Sequence, residues 1–254
     1  MINYDAALTE IQGILDKLSV NEKPSGIKNL QQYVGTNYHF YALKNPTVQA
    51  VFKQGFSFSQ EPMPVQMEFY TQLWNESNCY EMMNLSLMYL SIYCKKHKDF
   101  DAFLLAKSFL FNIDNWAHSD FLSSIIGRHM IHAEANIYKN LYDLNNAENL
   151  WERRAALVPL LYHLKSKKSN LTMNHFYDSI NHRILDEAYY VQKAVGWLLR
   201  EFGEKFPSEL LSFLYTNAFQ MSSIAFATAT EKISSTDKEQ LKLIRKELKK
   251  LKKV

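Results

Sequence analysis

Residues 186 to 201 read D-E-A-Y-Y-V-Q-K-A-V-G-W-L-L-R-E. Tyr189, Lys193 and Trp197 fall at i, i+4 and i+8, one stripe of an α-helix. Gly196 stands inside that helix, where glycine costs about 1 kcal/mol relative to alanine. Close approach by a neighbouring helix or a ligand is the expected reason for it. This helix, Glu187–Phe202, follows another at Met173–Ile184, and the pairing recurs upstream. The spacing predicts Val65–Trp74 with Tyr80–Lys95, Phe100–Phe111 with Asn115–Arg128, and His132–Leu141 with Ala147–Lys165; Ser208–Phe219 begins a further pair. Second members start near residues 80, 115, 147 and 187, a spacing of about 32 to 40, close to the period of two-helix solenoid repeats. Such units bury their faces by stacking, and the stack curves to give a concave surface lined by second helices. A four-helix-bundle core produces similar stripes but does not need so many helices of similar length. The expected fold is all-α: an α-solenoid of HEAT-like repeats over residues 1–236, followed by a basic C-terminal helix or tail, 237–254.

Composition agrees with that expectation. Only 7 glycines and 6 prolines occur in 254 residues, too few for the tight turns of a strand-rich sandwich, while 47% of residues are apolar. Near the start, Leu8, Ile11, Leu15 and Leu18 make an amphipathic stripe that Pro24-Ser25-Gly26 interrupts. A region of short elements runs to Phe58, and Q-E-P-M-P at 60–64 marks another boundary. No run approaches the roughly 18 apolar residues of a membrane span, since Leu85–Cys94 is broken by two serines. The first residues lack a basic segment followed by an apolar block, so a soluble, cytoplasmic protein is expected.

The two cysteines, Cys79 and Cys94, lie on one expected helix about 22 Å apart. A disulfide needs Cα atoms within about 7 Å, so free thiols are expected. The eight histidines show no zinc-ligand spacing. The net charge of +3 is uneven: residues 237–254 hold eight basic and three acidic residues, leaving 21 basic against 23 acidic in the rest. A basic footprint for nucleic acid must therefore be local on the body. In the tail, Leu241, Ile244, Leu248 and Leu251 make an apolar stripe among lysines. That pattern fits a capping helix with a solvated basic face, or an arm that tracks phosphates.

Three stretches combine aromatic and charged residues on second helices: D-N-W-A-H-S-D (114–120), W-E-R-R-A-A-L-V-P-L (151–160), and the stretch quoted first. Trp116 and Asp120, four residues apart, share a face, and Asp114 or Asn115 is a suitable N-cap for their helix. Taken singly, Trp151 and Trp197 read equally as core residues, and Arg153-Arg154 as surface ion-pairing groups. Together, three such faces on successive second helices would converge on one concave surface.

Asn115-Trp116…Asp120, Trp151-Glu152-Arg153-Arg154-Ala155-Ala156 and Lys193-Ala194-Val195-Gly196-Trp197-Leu198-Leu199-Arg200-Glu201 resemble, in order and approximate spacing, the AlkD-type DNA alkylation repair family. Residues Tyr33 to Lys53 are similar to that family's N-terminal signature, so the likeness spans about residues 30 to 205. The resemblance implies a HEAT-like solenoid that cradles duplex DNA and removes N3- or N7-alkylated purines, with no metal and no cofactor. It makes Trp116 and Trp197 aromatic walls and Asp120 the carboxylate, with Arg154 and Arg153 holding backbone phosphate. Lys193 and Arg200, on the third motif, join the DNA-binding set. Three positions depart from the family pattern: Ala117-His118-Ser119 replaces an acidic and then apolar residues, Ala42 stands where glycine is usual, and Gln49 where arginine is usual. The expected function is a DNA N-glycosylase, a hydrolase. The alternatives are an inactive member binding distorted or branched DNA, and a HEAT-type scaffold for protein partners.

Overall fold

The computed structural model describes residues 2–21, 29–131, 137–169 and 171–251. Among these, every regular element is a helix, and the only β feature is an isolated parallel bridge between His39 and Cys79. No described helix is long and apolar enough to cross a membrane. The expected break at Pro24-Ser25-Gly26 lies outside the described residues. So do residues 132–136 of the expected His132–Leu141 helix. The chain gathers into two compact units, residues 1–129 and 130–254.

The first unit holds α1 (Tyr4–Asn21), α2 (Leu30–Val34), α3 (Asn45–Gln54), α4 (Met63–Glu76), α5 (Tyr80–Lys96), α6 (Phe100–Ser108), a 3-10 turn (Phe109–Asn112) and α7 (Trp116–Met130), whose last residue opens the second unit. The stripe read in α1 is realised at Ile11 and Leu15, both fully buried. Prolines 62 and 64 flank the start of α4, where a missing N–H costs nothing. α5 is buried on nearly every side because α3, α4 and α6 all pack on it. Trp74 of α4 anchors the core: its indole N–H donates to the Phe109 carbonyl at 3.1 Å, and its ring stacks on Phe109 at 5.0 Å. Cys79, which caps α5, and Cys94 within it are free and buried, and burial pushes both thiols up to about 12. They stay protonated and unreactive.

The second unit holds α8 (Ile137–Asn145), α9 (Leu150–Ala155), α10 (Leu160–Lys165), α11 (Met173–Arg183), α12 (Tyr189–Lys205), α13 (Pro207–Asn217), α14 (Ser223–Ala229) and α15 (Ser235–Leu251). The single helix expected over Ala147–Lys165 is two, because Pro159 has no N–H to continue the ladder. Between them the backbone tightens to i−3 bonds, Leu157 N–H to Arg154 O at 3.0 Å and Leu160 N–H to Leu157 O at 3.1 Å. Successive helices pack on one another in both units, α4 on α5, α5 on α6, α8 on α9 and α11 on α12, the neighbour-to-neighbour stacking of an α-solenoid.

At the centre of this unit, α12 is packed by α9, α10, α11, α13 and α14. A Cβ at Gly196 would lie 2.6 Å from the Ala225 carbonyl oxygen and 2.7 Å from Thr228 Cβ, so the mid-helix glycine lets α14 cross. The reason for it is a neighbouring helix. The tail docks here too. Leu241 of α15 is fully buried, and Arg245 donates to the Ala218 and Met221 carbonyls at 3.0 and 2.8 Å with its guanidinium over the Phe226 ring. That is the arrangement of a cap, and it satisfies carbonyls orphaned at the end of α13.

Gly196→Ala should lower stability by about 1–3 kcal/mol, overpacking exceeding the helix-propensity gain. Gly13→Ala in α1, where a Cβ would meet nothing within 4 Å, should raise it by up to about 1 kcal/mol. Urea denaturation of the two variants checks the pair, and a neutral Gly196→Ala would refute the close crossing.

Candidate functional site

The first turn of α7 faces two ways. Asn115 is fully buried and caps it, its side-chain oxygen accepting the His118 N–H at 2.9 Å. Its amide nitrogen meets His118 Nδ1 at 3.0 Å, while His118 Nε2 lies 3.3 Å from the Tyr80 carbonyl. An amide N–H on one side and a carbonyl on the other admit one neutral tautomer, with Nδ1 accepting and Nε2 donating. The imidazole also stacks on the Tyr80 ring at 4.4 Å. His118 and Ser119 are both completely buried, whereas Trp116 and Asp120, flanking them, are half-exposed. Two of the three residues that depart from the family pattern thus belong to the core.

Asp114 serves the loop beside this turn. It accepts hydrogen bonds from the Thr36 hydroxyl at 2.9 Å, the Asn37 N–H at 2.8 Å and the Asn115 amide at 2.7 Å. The Tyr38 hydroxyl donates to the Asn112 carbonyl at 2.6 Å, and the Trp116 indole N–H donates to the Tyr33 carbonyl at 3.0 Å. The Tyr33 and Trp116 rings meet edge-to-face at 5.6 Å. Residues 33–38 are therefore clasped to residues 112–116, and Trp116 is held in one orientation.

The loop continues to Ala42, whose φ of 61° is left-handed. Its neighbours Tyr41 and Leu43 donate their N–H groups to the two oxygens of Glu81, at 3.1 and 3.3 Å. Glu81 is fully buried, so burial raises its carboxyl pKa, opposed by these N–H groups. The family's glycine thus has a backbone reason here, and alanine occupies the position at a cost of about 1–2 kcal/mol. Between this loop and α7 lies a cleft of about 570 Å³, lined by Tyr33, Phe40, Tyr80, Asn84, Trp116 and Phe121 among others. Gln49, in place of the family's arginine, also lines it. No role for Tyr33, Tyr80 or Asn84 was legible from residue type; only Tyr33 lay within a recognised signature.

In the second unit, Tyr189, Lys193, Trp197 and Arg200 form the exposed or half-exposed stripe of α12. Among the described residues, Lys193 has no ion pair or hydrogen bond, and Trp197 has neither a hydrogen bond nor an aromatic neighbour. The arginines differ. Arg153 clamps Asp186 through Nε at 2.7 Å and Nη2 at 3.3 Å, and also donates to the Ala147 and Glu148 carbonyls. Burial tends to raise the Asp186 pKa, but hydrogen bonds from Arg153, the Ala188 N–H and Arg183 hold it below the usual range. Arg154 is buried and donates to the Tyr190 carbonyl, and Trp151 packs on the Tyr190 ring at 5.0 Å. Arg200 is paired with Glu201 and Glu231. Any phosphate contact by these arginines has to compete with partners already in place.

A helical stack bearing an aromatic–carboxylate face on one helix and an open Lys–Trp stripe on another describes a class before any comparison. The DNA alkylation repair enzyme family matches residues 14–233, and this chain belongs to that family. Its fold is similar to a solved structure from Enterococcus faecalis described as a predicted DNA alkylation repair enzyme, with TM-score 0.66 and 16% identity over 84% of this chain and 99% of that one. No curated protein matched. α15 begins beyond the matched residues.

Two expectations follow. Burial pushes the His118 imidazole from 6.5 down to about 3. The unfolded chain then takes up a proton near pH 6.5 that the native chain refuses, so this contribution to stability is lost as pH falls from about 6.5 toward 3. The stability advantage of wild type over His118→Gln should therefore shrink by up to about 3 kcal/mol between pH 7 and pH 4; a constant difference in urea titrations would count against a buried neutral imidazole. Separately, Ala42→Gly should raise the unfolding free energy by about 0.5–1 kcal/mol and Ala42→Val lower it, both read by thermal melting.

Proposed function

We propose that this protein is a monofunctional DNA N-glycosylase that releases N3- or N7-alkylated purines from duplex DNA. One observation carries the reading: Trp116 and Asp120 are half-exposed on one face of α7, while His118 and Ser119 between them turn into the core. Membership of the DNA alkylation repair family supports a role in DNA repair.

The chemistry asked of such a face is modest. An alkylated purine of this kind is already cationic, so its glycosidic bond breaks with the electron pair passing to a neutral leaving base. The deoxyribose passes through an oxocarbenium-like state, as in other glycosyl cleavages. A carboxylate at Asp120 stabilises that cation and orients water toward C1′, accepting its proton. The Trp116 face stabilises the cationic base by about 0.5–2 kcal/mol when water is excluded, and Trp197 is by its motif the second such face. Lys193 is the cation best placed to meet a phosphate, since its ammonium has no internal partner among the described residues.

The internal engagement of Arg153, Arg154 and Arg200 favours a second reading, a helical scaffold for protein partners, because it leaves few cations for phosphate.

Release of 3-methyladenine or 7-methylguanine from alkylated duplex, followed by chromatography, tests the first reading. Asp120→Asn should reduce the rate by about 100-fold or more, and Trp197→Ala by roughly tenfold. Lys193→Ala should weaken binding and reduce the slope of log K against log salt by about 0.9. Release that survives Asp120→Asn would sink the assignment of the carboxylate, and no DNA binding at about 50 mM salt would select the scaffold.

A further inference from the structure

The cleft beside Trp116 has a feature that packing does not explain. Asn84, on α5, is 5% exposed and lines the cleft, yet its amide nitrogen has no hydrogen-bond partner. A buried donor left unsatisfied costs about 1–3 kcal/mol and marks a place where a bound molecule completes the structure. Around it the walls are aromatic: Trp116, Tyr80, Phe40 and Phe121. The Trp116 ring is fixed there by its indole bond to the Tyr33 carbonyl. At about 570 Å³ the space falls in the range of small-molecule pockets, which are mostly apolar with a few placed polar groups.

We propose that this cleft receives a purine base turned out of the DNA stack, held flat against Trp116 with one of its ring or carbonyl acceptors on the Asn84 amide. The proposal rests on the DNA-repair reading above and deepens it, naming where the target base goes. The chemistry of the cleft matches what an extruded base needs: an aromatic face for the stacking lost in the duplex, and a hydrogen-bond donor for an edge no longer paired. Turning a base out costs a few kcal/mol, least where pairing is already weakened by damage. Stacking on an aromatic side chain returns about 1–3 kcal/mol of that. Ala117 lines the same cleft one residue from Trp116, so its size governs the room available.

The test uses full-length ¹⁵N-labelled protein titrated with free 7-methylguanine and read at the Trp116 indole N–H, alongside fluorescence anisotropy with a labelled alkylated duplex. The indole resonance should shift at millimolar base. Asn84→Leu should weaken that binding about tenfold, and Ala117→Leu, which narrows the cleft without removing a hydrogen-bonding side chain, should abolish it. Melting curves confirm that both variants fold. No shift up to about 10 mM, or a shift that both variants retain, overturns the base-receiving cleft. If the duplex still binds in that case, the DNA-repair reading stands alone. A protein that binds the free base but ignores the duplex overturns both the DNA-bound form of the proposal and the reading it rests on.

Discussion

A helix that must show one face to solvent and sink the other cannot leave its first turn unsatisfied, and the first turn of α7 satisfies itself from within. Asn115 caps the backbone with its oxygen and feeds its amide to His118, which passes a hydrogen bond to Tyr80 on α5. Each group in that short chain has one role and one protonation state. With the inner face settled, Trp116 and Asp120 are directed outward by helical geometry alone. Asp114 then draws the 36–37 loop against the same turn. The outward pair owes its position to residues that never touch solvent.

The second unit reaches a similar end by other means. Gly196 allows α14 to lie directly on α12, so the stripe carrying Lys193 and Trp197 rests on a backbone-to-backbone contact. Arg153 and Arg183 both grip Asp186 just before α12, and Arg154 holds the Tyr190 carbonyl within it. These arginines act as struts for the helix. Lys193 and Trp197 are its free surface.

How much of this was legible depended on the range of the interaction. Helical stripes are local, so the elements from Val65 to Phe219 emerge from periodicity, and only Pro159 splits one unexpectedly. The pairing of Trp116 with Asp120 is equally local, a matter of four residues. By contrast, Thr36 reaches Asp114, Tyr41 reaches Glu81, and Arg153 reaches Asp186, each across more than thirty positions. Nothing in residue type distinguishes an arginine awaiting phosphate from one already clamped by an aspartate elsewhere in the chain. Asn84 was silent for the same reason, because an amide in a helix signals nothing until its surroundings are known to leave it unmatched.

The left-handed turn at Ala42 has a consequence for which sequences this fold can visit. A β-branched residue there would be forced into a conformation such side chains almost never adopt, and any change that relaxes the turn would withdraw the Tyr41 and Leu43 N–H groups from Glu81. A buried carboxylate deprived of its donors is among the most damaging single losses a core can suffer. Position 42 and position 81 are therefore free to drift only as a pair. Replacing the acid with an apolar side chain would relieve the turn of its duty, and the wall of the cleft that the turn shapes would then be the first thing to change.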